Sequence, residues 1–149
     1  MCLHDSVDGS IAPAGAKKSL SVVGAAIVSN GRVLCARRGP GRQLEGKWEF
    51  PGGKIEPHET AREALHREIE EELLCEVDVE GEVCTTRHEY DFAVITLTTF
   101  VCHLIGANPP HITEHEEIRW LLPEEMPKLD WAPADQEAVA KISGMRFVR

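Results

Sequence analysis

Apolar residues change their spacing along this chain, and each spacing predicts a different element. Residues 20–29 are a near-continuous apolar run rich in Val and Ile, which is typical of a buried strand. Asn30-Gly31 is a strong signal for a two-residue hairpin turn, so residues 32–36 are expected to return as the partner strand. Residues 39–46 then have the composition of a loop.

Residues 47–55 predict a short strand that Pro51-Gly52-Gly53 interrupts, and a helix follows it. The helix has its own start signal, because residues 60–63 fit a capping box. The apolar stripe of this helix is expected to face the core and consists of Ala61, Leu65 and Ile69. Glu68 and Glu72 lie immediately beside that stripe in the helical projection, so they are expected to border the core.

The second half of the chain predicts a long hairpin and a terminal helix. Residues 75–90 alternate weakly, which indicates a partly exposed strand, and residues 92–105 are rich in β-branched side chains. The turn chemistry at residues 89–91 is poor and leaves the register of the hairpin open. The remaining predicted elements are a loop at 106–113, a strand at 117–122, a turn or single helical turn at 123–127 and a helix at 133–143. This order predicts an α/β fold with a mixed sheet and helices on both faces.

Composition narrows the class of protein. The first 18 residues predict a flexible tail, and residues 19–149 predict a single domain. The formal net charge of −9 argues against binding a nucleic-acid polymer, which needs clustered Lys and Arg. The chain contains no run of about 18 apolar residues, so the sequence predicts no membrane span. The five cysteines form no C-x-x-C pair, which favours reduced thiols in a cytoplasmic compartment, packed as small hydrophobes. His111 and His115 are four residues apart in a loop, where ordinary polar surface is favoured over metal ligation.

The helix that starts at residue 61 carries three carboxylates on one face. Glu68, Glu71 and Glu72 stand at i, i+3 and i+4, where like charges repel. A divalent cation would relieve the repulsion, because Mg²⁺ takes oxygen ligands from one or two carboxylates plus substrate phosphates. Backbone carbonyls of the Gly52-Gly53 turn stand just upstream and would complete such a site. The alternative is a solvated acidic face on a surface helix.

These residues carry a family resemblance. The pattern G-x5-E-x7-R-E-U-x-E-E-x-G-U, where U is apolar, is the signature of the Nudix hydrolases. The chain fills it with Gly53, Glu59, Arg67, Glu68, Ile69, Glu71 and Glu72. The final glycine is replaced by Leu74, which puts the end of the helix in question because leucine resists a left-handed conformation. Residues 48–56 resemble the MutT branch of the family, and the whole resemblance covers residues 20–142.

The resemblance implies a Nudix α/β/α sandwich and hydrolysis that depends on Mg²⁺, with Mn²⁺ as a substitute. It implies that Glu71 and Glu72 are the first-choice metal ligands, that Glu68 is a ligand or a base, and that Gly52 or Gly53 adds a backbone carbonyl. Glu59 is either a further ligand or an anion stabilised at the start of the helix. Arg67 is expected to face away from the cluster and to hold a carboxylate in place.

A second general base is implied in the loop before the last strand. MutT-type enzymes place a catalytic glutamate six residues before a tryptophan there, and Trp120 puts that position at Glu114. Glu114 is accordingly a candidate catalytic residue and metal ligand, with Glu68 as the competing base. The alternative for Glu114 is a solvated loop acid.

Substrate contacts follow from the same resemblance. Arg38, Glu49 and Phe50 match positions that border the nucleotide, although Phe50 is equally suited to the core. Asp135 stands where the 8-oxo-dGTP hydrolase presents an asparagine amide. An ionised carboxylate only accepts hydrogen bonds, so Asp135 suits a base edge rich in N–H donors, such as cytosine or an oxidised guanine. The alternative is that Asp135 caps the terminal helix.

The sequence therefore predicts an enzyme that splits a nucleoside triphosphate into a nucleoside monophosphate and pyrophosphate. Its expected role is to remove oxidised nucleotides such as 8-oxo-dGTP, in support of DNA replication and repair. Three alternatives stay open: a CTP or modified-dCTP pyrophosphohydrolase, an ADP-ribose or nucleotide-sugar hydrolase, and a non-catalytic nucleotide-binding module. The expected partner is the nucleotide alone, with no nucleic-acid polymer and no membrane, and the protein is expected to be a monomer or homodimer.

Overall fold

The computed structural model describes residues 17–147, so nearly all of the predicted tail lies outside the described residues. The described part contains a seven-stranded sheet and two α-helices. The strands are β1 (Lys18–Ser29), β2 (Arg32–Arg38), β3 (Trp48–Glu49), β4 (Gly52–Lys54), β5 (Glu76–Glu89), β6 (Ala93–Ile105) and β7 (His115–Leu121). The helices are α1 (Ala61–Leu73) and α2 (Gln136–Ile142), and short 3₁₀ helices span Pro123–Lys128 and Pro133–Asp135.

The sheet is mixed, as predicted. Its main order is β3-β2-β1-β6-β5, with β4 paired to β1 and β7 paired to β2. β1 and β6 run parallel, and every other pair is antiparallel. The central strand β1 therefore has sheet partners along both edges. Its sequence is apolar almost throughout because both faces of the sheet are covered.

Helices cover both faces of the sheet, which confirms the predicted sandwich. Val23, Ala25 and Ile27 of β1 pack in the same core cluster as the apolar side of α1. Ala26 and Val28 point to the opposite face and pack in the core cluster that contains α2. Alternate residues of one strand thus fill two separate cores, because successive side chains of a strand point to opposite faces.

The predicted turns are present, and several element bounds shift. Asn30 and Gly31 both have positive φ, at 52° and 78°, as the hairpin turn between β1 and β2 requires. The β5–β6 hairpin is antiparallel, and its register pairs Glu89 with Val94. The predicted strand at 117–122 begins earlier, at His115. The predicted helix at 133–143 starts as a 3₁₀ turn before α2.

Helix α1 begins and ends with defined caps. The capping box is confirmed, because the Glu63 N–H donates to the Thr60 hydroxyl and the Thr60 N–H donates to the Glu63 carboxylate. Leu74 adopts the left-handed conformation, with φ 55° and ψ 36°, and its N–H donates to the Glu70 carbonyl at 3.0 Å. The geometry that the family's glycine would favour is therefore kept by a leucine.

The four cysteines of the described residues, Cys35, Cys75, Cys84 and Cys102, are buried and unbridged, as predicted. Cys2 lies outside the described residues. Within residues 17–147, no helix combines the length and apolar character that crossing a membrane would require.

Candidate active site

The three carboxylates of α1 separate into two that are buried and one that is exposed. Glu68 and Glu72 are 7% and 2% exposed, whereas 62% of the Glu71 side chain is exposed. The first two flank the apolar residues that face the sheet, so the helical spacing correctly predicted that they border the core. Glu71 lies one step further round the helix, toward solvent.

The Gly52-Gly53 turn packs tightly against its surroundings, and each glycine has a distinct neighbour. A Cβ atom at position 52 would lie 1.9 Å from the Val23 carbonyl oxygen. At position 53 it would lie 1.6 Å from Oε2 of Glu68. The missing side chain of Gly53 therefore makes the space that the Glu68 carboxylate occupies, and it brings the β4 backbone beside a predicted metal ligand.

Arg67 contacts the cluster, which corrects the prediction that it faces away. Its Nε and Nη2 donate to the two oxygens of Glu59 at 2.6 and 2.8 Å. Its Nη1 lies 3.2 Å from Oε1 of Glu68 and 3.3 Å from Oε2 of Glu71. The hydrogen bond from Arg67 holds the pKa of Glu59 at about 2. Arg67 is thus the predicted partner that holds a carboxylate, and Glu59 is its anchor.

The electrostatics of the buried pair suit a cation. Burial raises the pKa of Glu68 to about 7, with the Glu71 charge adding to the effect and Arg67 opposing it. Burial also raises the pKa of Glu72. Both side chains offer oxygen donors whose negative charge burial disfavours, and Glu68 lies beside the Gly53 backbone. Such donors fit a hard divalent ion.

The predicted metal set is brought together only in part. Within residues 17–147, no three His, Cys, Asp or Glu side chains group their donor atoms as a bound ion would require. Glu68 touches Gly53, while Glu71 is turned to Arg67 at the surface. Oε1 of Glu114 lies 3.4 Å from Nη2 of Arg42, and about a third of each side chain is exposed. Of the predicted ligands, Glu68 and Glu72 are the two that α1 turns inward, and Glu68 is the one that lies against the Gly53 backbone.

A buried polar network connects α1 to the base site, which is the set of residues predicted to border the nucleobase (Arg38, Glu49 and Asp135). Nη1 of Arg38 lies 3.2 Å from Oε1 of Glu49, and Nε2 of His115 lies 2.9 Å from Oε2 of the same carboxylate. His115 Nε2 also lies 3.3 Å from Oε1 of Glu72. All four side chains are at most 2% exposed. Arg38 and Glu49, predicted as separate substrate contacts, are thus one ion pair.

His115 was predicted to be ordinary polar surface, and the structure corrects this, because its side chain is buried in the network. A β-bulge positions it, because Arg37 pairs with Glu117 whereas Arg38 pairs with His115, leaving Glu116 as the extra residue. The signal in the sequence was one histidine within a run of glutamates just before a strand. His111, its predicted neighbour, is exposed and instead donates its N–H to the Leu73 carbonyl at 2.7 Å.

Asp135 reaches the site across the sheet edge. Its Oδ1 accepts a hydrogen bond from the Phe50 N–H at 3.1 Å, and its side chain makes no capping bond to α2. Asp135 stands at the N-cap position of α2, as the alternative expected, but its carboxyl group is turned to Phe50 instead of to the helix. The pKa of Asp135 is well above its usual range because of burial, and the charge of Glu49 raises it further. A protonated carboxyl group both donates and accepts hydrogen bonds.

The ring of Phe50 belongs to the core, which corrects its assignment as a substrate-contacting side chain. It has no exposed surface and lies 4.9 Å from the Trp131 ring, centroid to centroid. Tyr90, which the sequence did not single out, lies nearby, and its hydroxyl accepts from the Ala134 N–H at 2.8 Å. Phe50 thus contributes its backbone N–H to the site rather than its ring.

Comparison with known proteins agrees with this site. The NUDIX domain family model matches residues 18–142. The chain is 36% identical over 133 residues to the CTP pyrophosphohydrolase of Escherichia coli (strain K12), covering 89% of this chain and 97% of that protein. It is 36% identical over 86 residues to the 8-oxo-dGTP diphosphatase of Proteus vulgaris, covering 57% and 77%. A solved DNA mismatch repair protein MutT from methicillin-resistant Staphylococcus aureus 252 superposes with a TM-score of 0.71 at 49% identity, covering 86% and 98%.

The family model covers most of the chain, and two of these relatives align over more than four-fifths of it. The chain therefore belongs to the Nudix family and is a hydrolase of the kind that acts on the pyrophosphate bonds of nucleotides. Nudix hydrolases generally need a divalent metal, and the carboxylates of α1 fit that requirement.

Proposed function

We propose that the protein is a Mg²⁺-dependent nucleoside triphosphate pyrophosphohydrolase that releases a nucleoside monophosphate and pyrophosphate. The observation that carries the proposal is the pair of buried carboxylates on α1. Glu68 lies against Gly53, and Glu72 contacts the buried network of His115, Glu49 and Arg38. Two of the relatives are named for their substrates, which are CTP and 8-oxo-dGTP. Both substrates are nucleoside triphosphates.

In this proposal each residue of the site has a separate role. Glu68 and Glu72 hold the divalent cation, with the Gly53 backbone beside them. The cation, when bound, supplies charge neutralisation for the phosphates and activation of the attacking water. Arg67 fixes Glu59 and restrains Glu68 and Glu71 through its three donor nitrogens. Glu114 or Glu68 accepts the proton of the attacking water.

The proposed role is removal of an oxidised or modified nucleotide, with 8-oxo-dGTP as the leading substrate. The position of Asp135 supports this choice, because it stands where the 8-oxo-dGTP hydrolase presents an asparagine amide. Burial raises its pKa toward the protonated form, which can donate as well as accept. A CTP or modified-dCTP substrate is the second candidate, supported by the 36% identity to the Escherichia coli CTP pyrophosphohydrolase over nearly its full length.

A panel of nucleotides tests the proposal. The purified protein is incubated with Mg²⁺ and with 8-oxo-dGTP, dGTP, CTP, dCTP, 5-methyl-dCTP or ADP-ribose, and pyrophosphate and phosphate are measured separately. We expect equimolar pyrophosphate and nucleoside monophosphate from 8-oxo-dGTP, with the highest kcat/KM of the panel. Preference for the cytosine nucleotides would select the second candidate. Release of phosphate, or turnover of ADP-ribose alone, would contradict both.

A further inference from the structure

One buried nitrogen lies between the carboxylates of two functional groups. Nε2 of His115 is 2.9 Å from Oε2 of Glu49 and 3.3 Å from Oε1 of Glu72. Glu49 belongs to the proposed base site, whereas Glu72 belongs to the proposed metal site. The imidazole thus contacts both carboxylates directly.

Both contacts favour an N–H donor at that nitrogen, because ionised carboxylates only accept hydrogen bonds. Nε2 of His115 is hydrogen-bonded to Glu49, which also accepts from Nη1 of Arg38, and the contact of Nε2 with Glu72 is the longer one. Buried carboxylates that face each other repel strongly unless a donor stands between them. Removing the imidazole would therefore take away one contact that orients Glu72.

The position of His115 is set from elements other than α1. The bulge in the β2–β7 pairing places it opposite Arg38. The preceding loop is fastened to the end of α1, because the Thr113 hydroxyl donates to the Glu72 carbonyl and the His111 N–H donates to the Leu73 carbonyl. His115 is therefore held from the sheet and from the helix end at once, which gives it a fixed position from which to orient Glu72.

We propose that His115 is a positioning residue that orients Glu72 for the cation and couples the metal site to Glu49 in the base site. The inference rests on the proposed function in one respect, namely the metal role of Glu72. Groups that orient a metal ligand typically change metal affinity or activity by about 10–100-fold when they are removed. Coupling through His115 would let an occupied base site adjust the carboxylate that holds the metal.

Binding of Mn²⁺ alone, followed by calorimetry in the absence of nucleotide, tests the positioning role. His115→Leu is expected to weaken Mn²⁺ binding by about 10–100-fold. His115→Gln, whose amide nitrogen can stand near the position of Nε2, is expected to recover most of the affinity. The matched control is His103→Leu, because His103 makes a similar 2.9 Å pair with Glu80 at the surface. Wild-type or tighter Mn²⁺ binding by His115→Leu would overturn the proposal.

A double-mutant cycle tests the coupling separately from folding. Glu49→Gln should weaken Mn²⁺ binding in the wild-type background and have no further effect in the His115→Leu background. A purely through-space charge effect would persist in both backgrounds, and that outcome would refute the coupling. If His115→Leu does not fold, the same cycle is run with His115→Asn, whose shorter amide withdraws the donor from the position of Nε2.

Different experimental results would contradict the proposed function and the role of His115. Wild-type protein that binds Mn²⁺ but turns over no nucleoside triphosphate would defeat the proposed function while the Mn²⁺ measurements still decide the role of His115. Normal triphosphate turnover with unchanged Mn²⁺ affinity and unchanged kcat in His115→Leu would defeat only the inference.

Discussion

Two adjacent glycines at the start of the site illustrate the scale of single residues. Gly52 lies against the backbone of β1, and Gly53 lies against the carboxylate of Glu68. Backbone in the centre of a sheet yields only at a high cost, whereas a carboxylate can rotate away. An added methyl group at the two positions should therefore have different consequences.

We expect Gly52→Ala to lower the free energy of unfolding by about 1–3 kcal/mol, the usual range for overpacking. Gly53→Ala should lower the free energy of unfolding by less than Gly52→Ala does. It should nevertheless lose most metal-dependent turnover, because Glu68 must leave its position. Denaturant unfolding and steady-state kinetics measure the two effects. Gly81→Ala is the control, since a Cβ there meets no atom within 4 Å. Equal activity of the Gly53→Ala variant and the wild type would refute the role given to Glu68.

Glu72 and Glu70 offer a second matched pair, because they lie on one helix but only Glu72 is buried. Glu72→Gln should lower kcat with Mg²⁺ by at least about 100-fold, beyond the effect of removing a group that only orients a ligand. Glu70→Gln should behave as wild type. Undiminished Mg²⁺-dependent turnover by the Glu72→Gln variant would show that the metal is held elsewhere.

At the scale of elements, the backbone at the end of α1 is strained. Leu74 holds a left-handed conformation with 52% of its surface exposed, so little packing offsets the strain. The left-handed region costs an ordinary residue roughly 1–2 kcal/mol. The helix nevertheless ends at this point because the loop at residues 111–113 is hydrogen-bonded to its last carbonyls.

Leu74→Gly is therefore expected to raise the free energy of unfolding by about 0.5–1 kcal/mol, after the greater flexibility of glycine in the unfolded chain is counted. Leu74→Ala keeps the Cβ atom and should bring no such gain. Urea unfolding at one pH, with m-values compared, measures both variants. A stabilisation by alanine equal to that by glycine would mean that exposed apolar surface, and not backbone strain, is the source.

At the scale of the whole molecule, a protein with a formal net charge of −9 buries four carboxyl groups in its described part. They are Glu49, Glu68, Glu72 and Asp135. The sandwich brings them together from α1, from β3 and from the segment before α2. Their burial makes the stability of the fold depend on protons and, in the proposed function, on the bound cation.

The pH dependence of stability follows from Glu68. Its pKa is about 7 in the folded protein against a usual value of 4.5, so the folded state binds the proton more tightly. This group's contribution is fully present below pH 4.5 and is lost as the pH rises to about 7. The metal-free wild type should lose stability relative to Glu68→Gln between pH 5 and pH 8, by roughly 3 kcal/mol at most. Parallel stability curves for the two proteins would contradict the raised pKa.

The sequence by itself was sufficient to predict features that depend on residues close together in the chain. The capping box at Thr60, the Asn30-Gly31 hairpin and the burial of Glu68 and Glu72 were all predicted correctly. Each follows from spacings within one helix or one turn, where the periods of 3.6 and 2 residues decide which side chains share a face. The signature spacing likewise identified the family that the comparisons confirm.

Only the tertiary structure decided how distant segments meet. Asp135 reaches the Phe50 N–H across 85 positions of sequence, and a bulge in the β2–β7 pairing turns His115 toward Glu49 and Glu72. Sheet register and bulges arise from the packing of the whole sandwich, because a shift of one residue in a strand reverses every side chain. Local spacing therefore specified the carboxylates of the site, while strand pairing selected the residues that orient them.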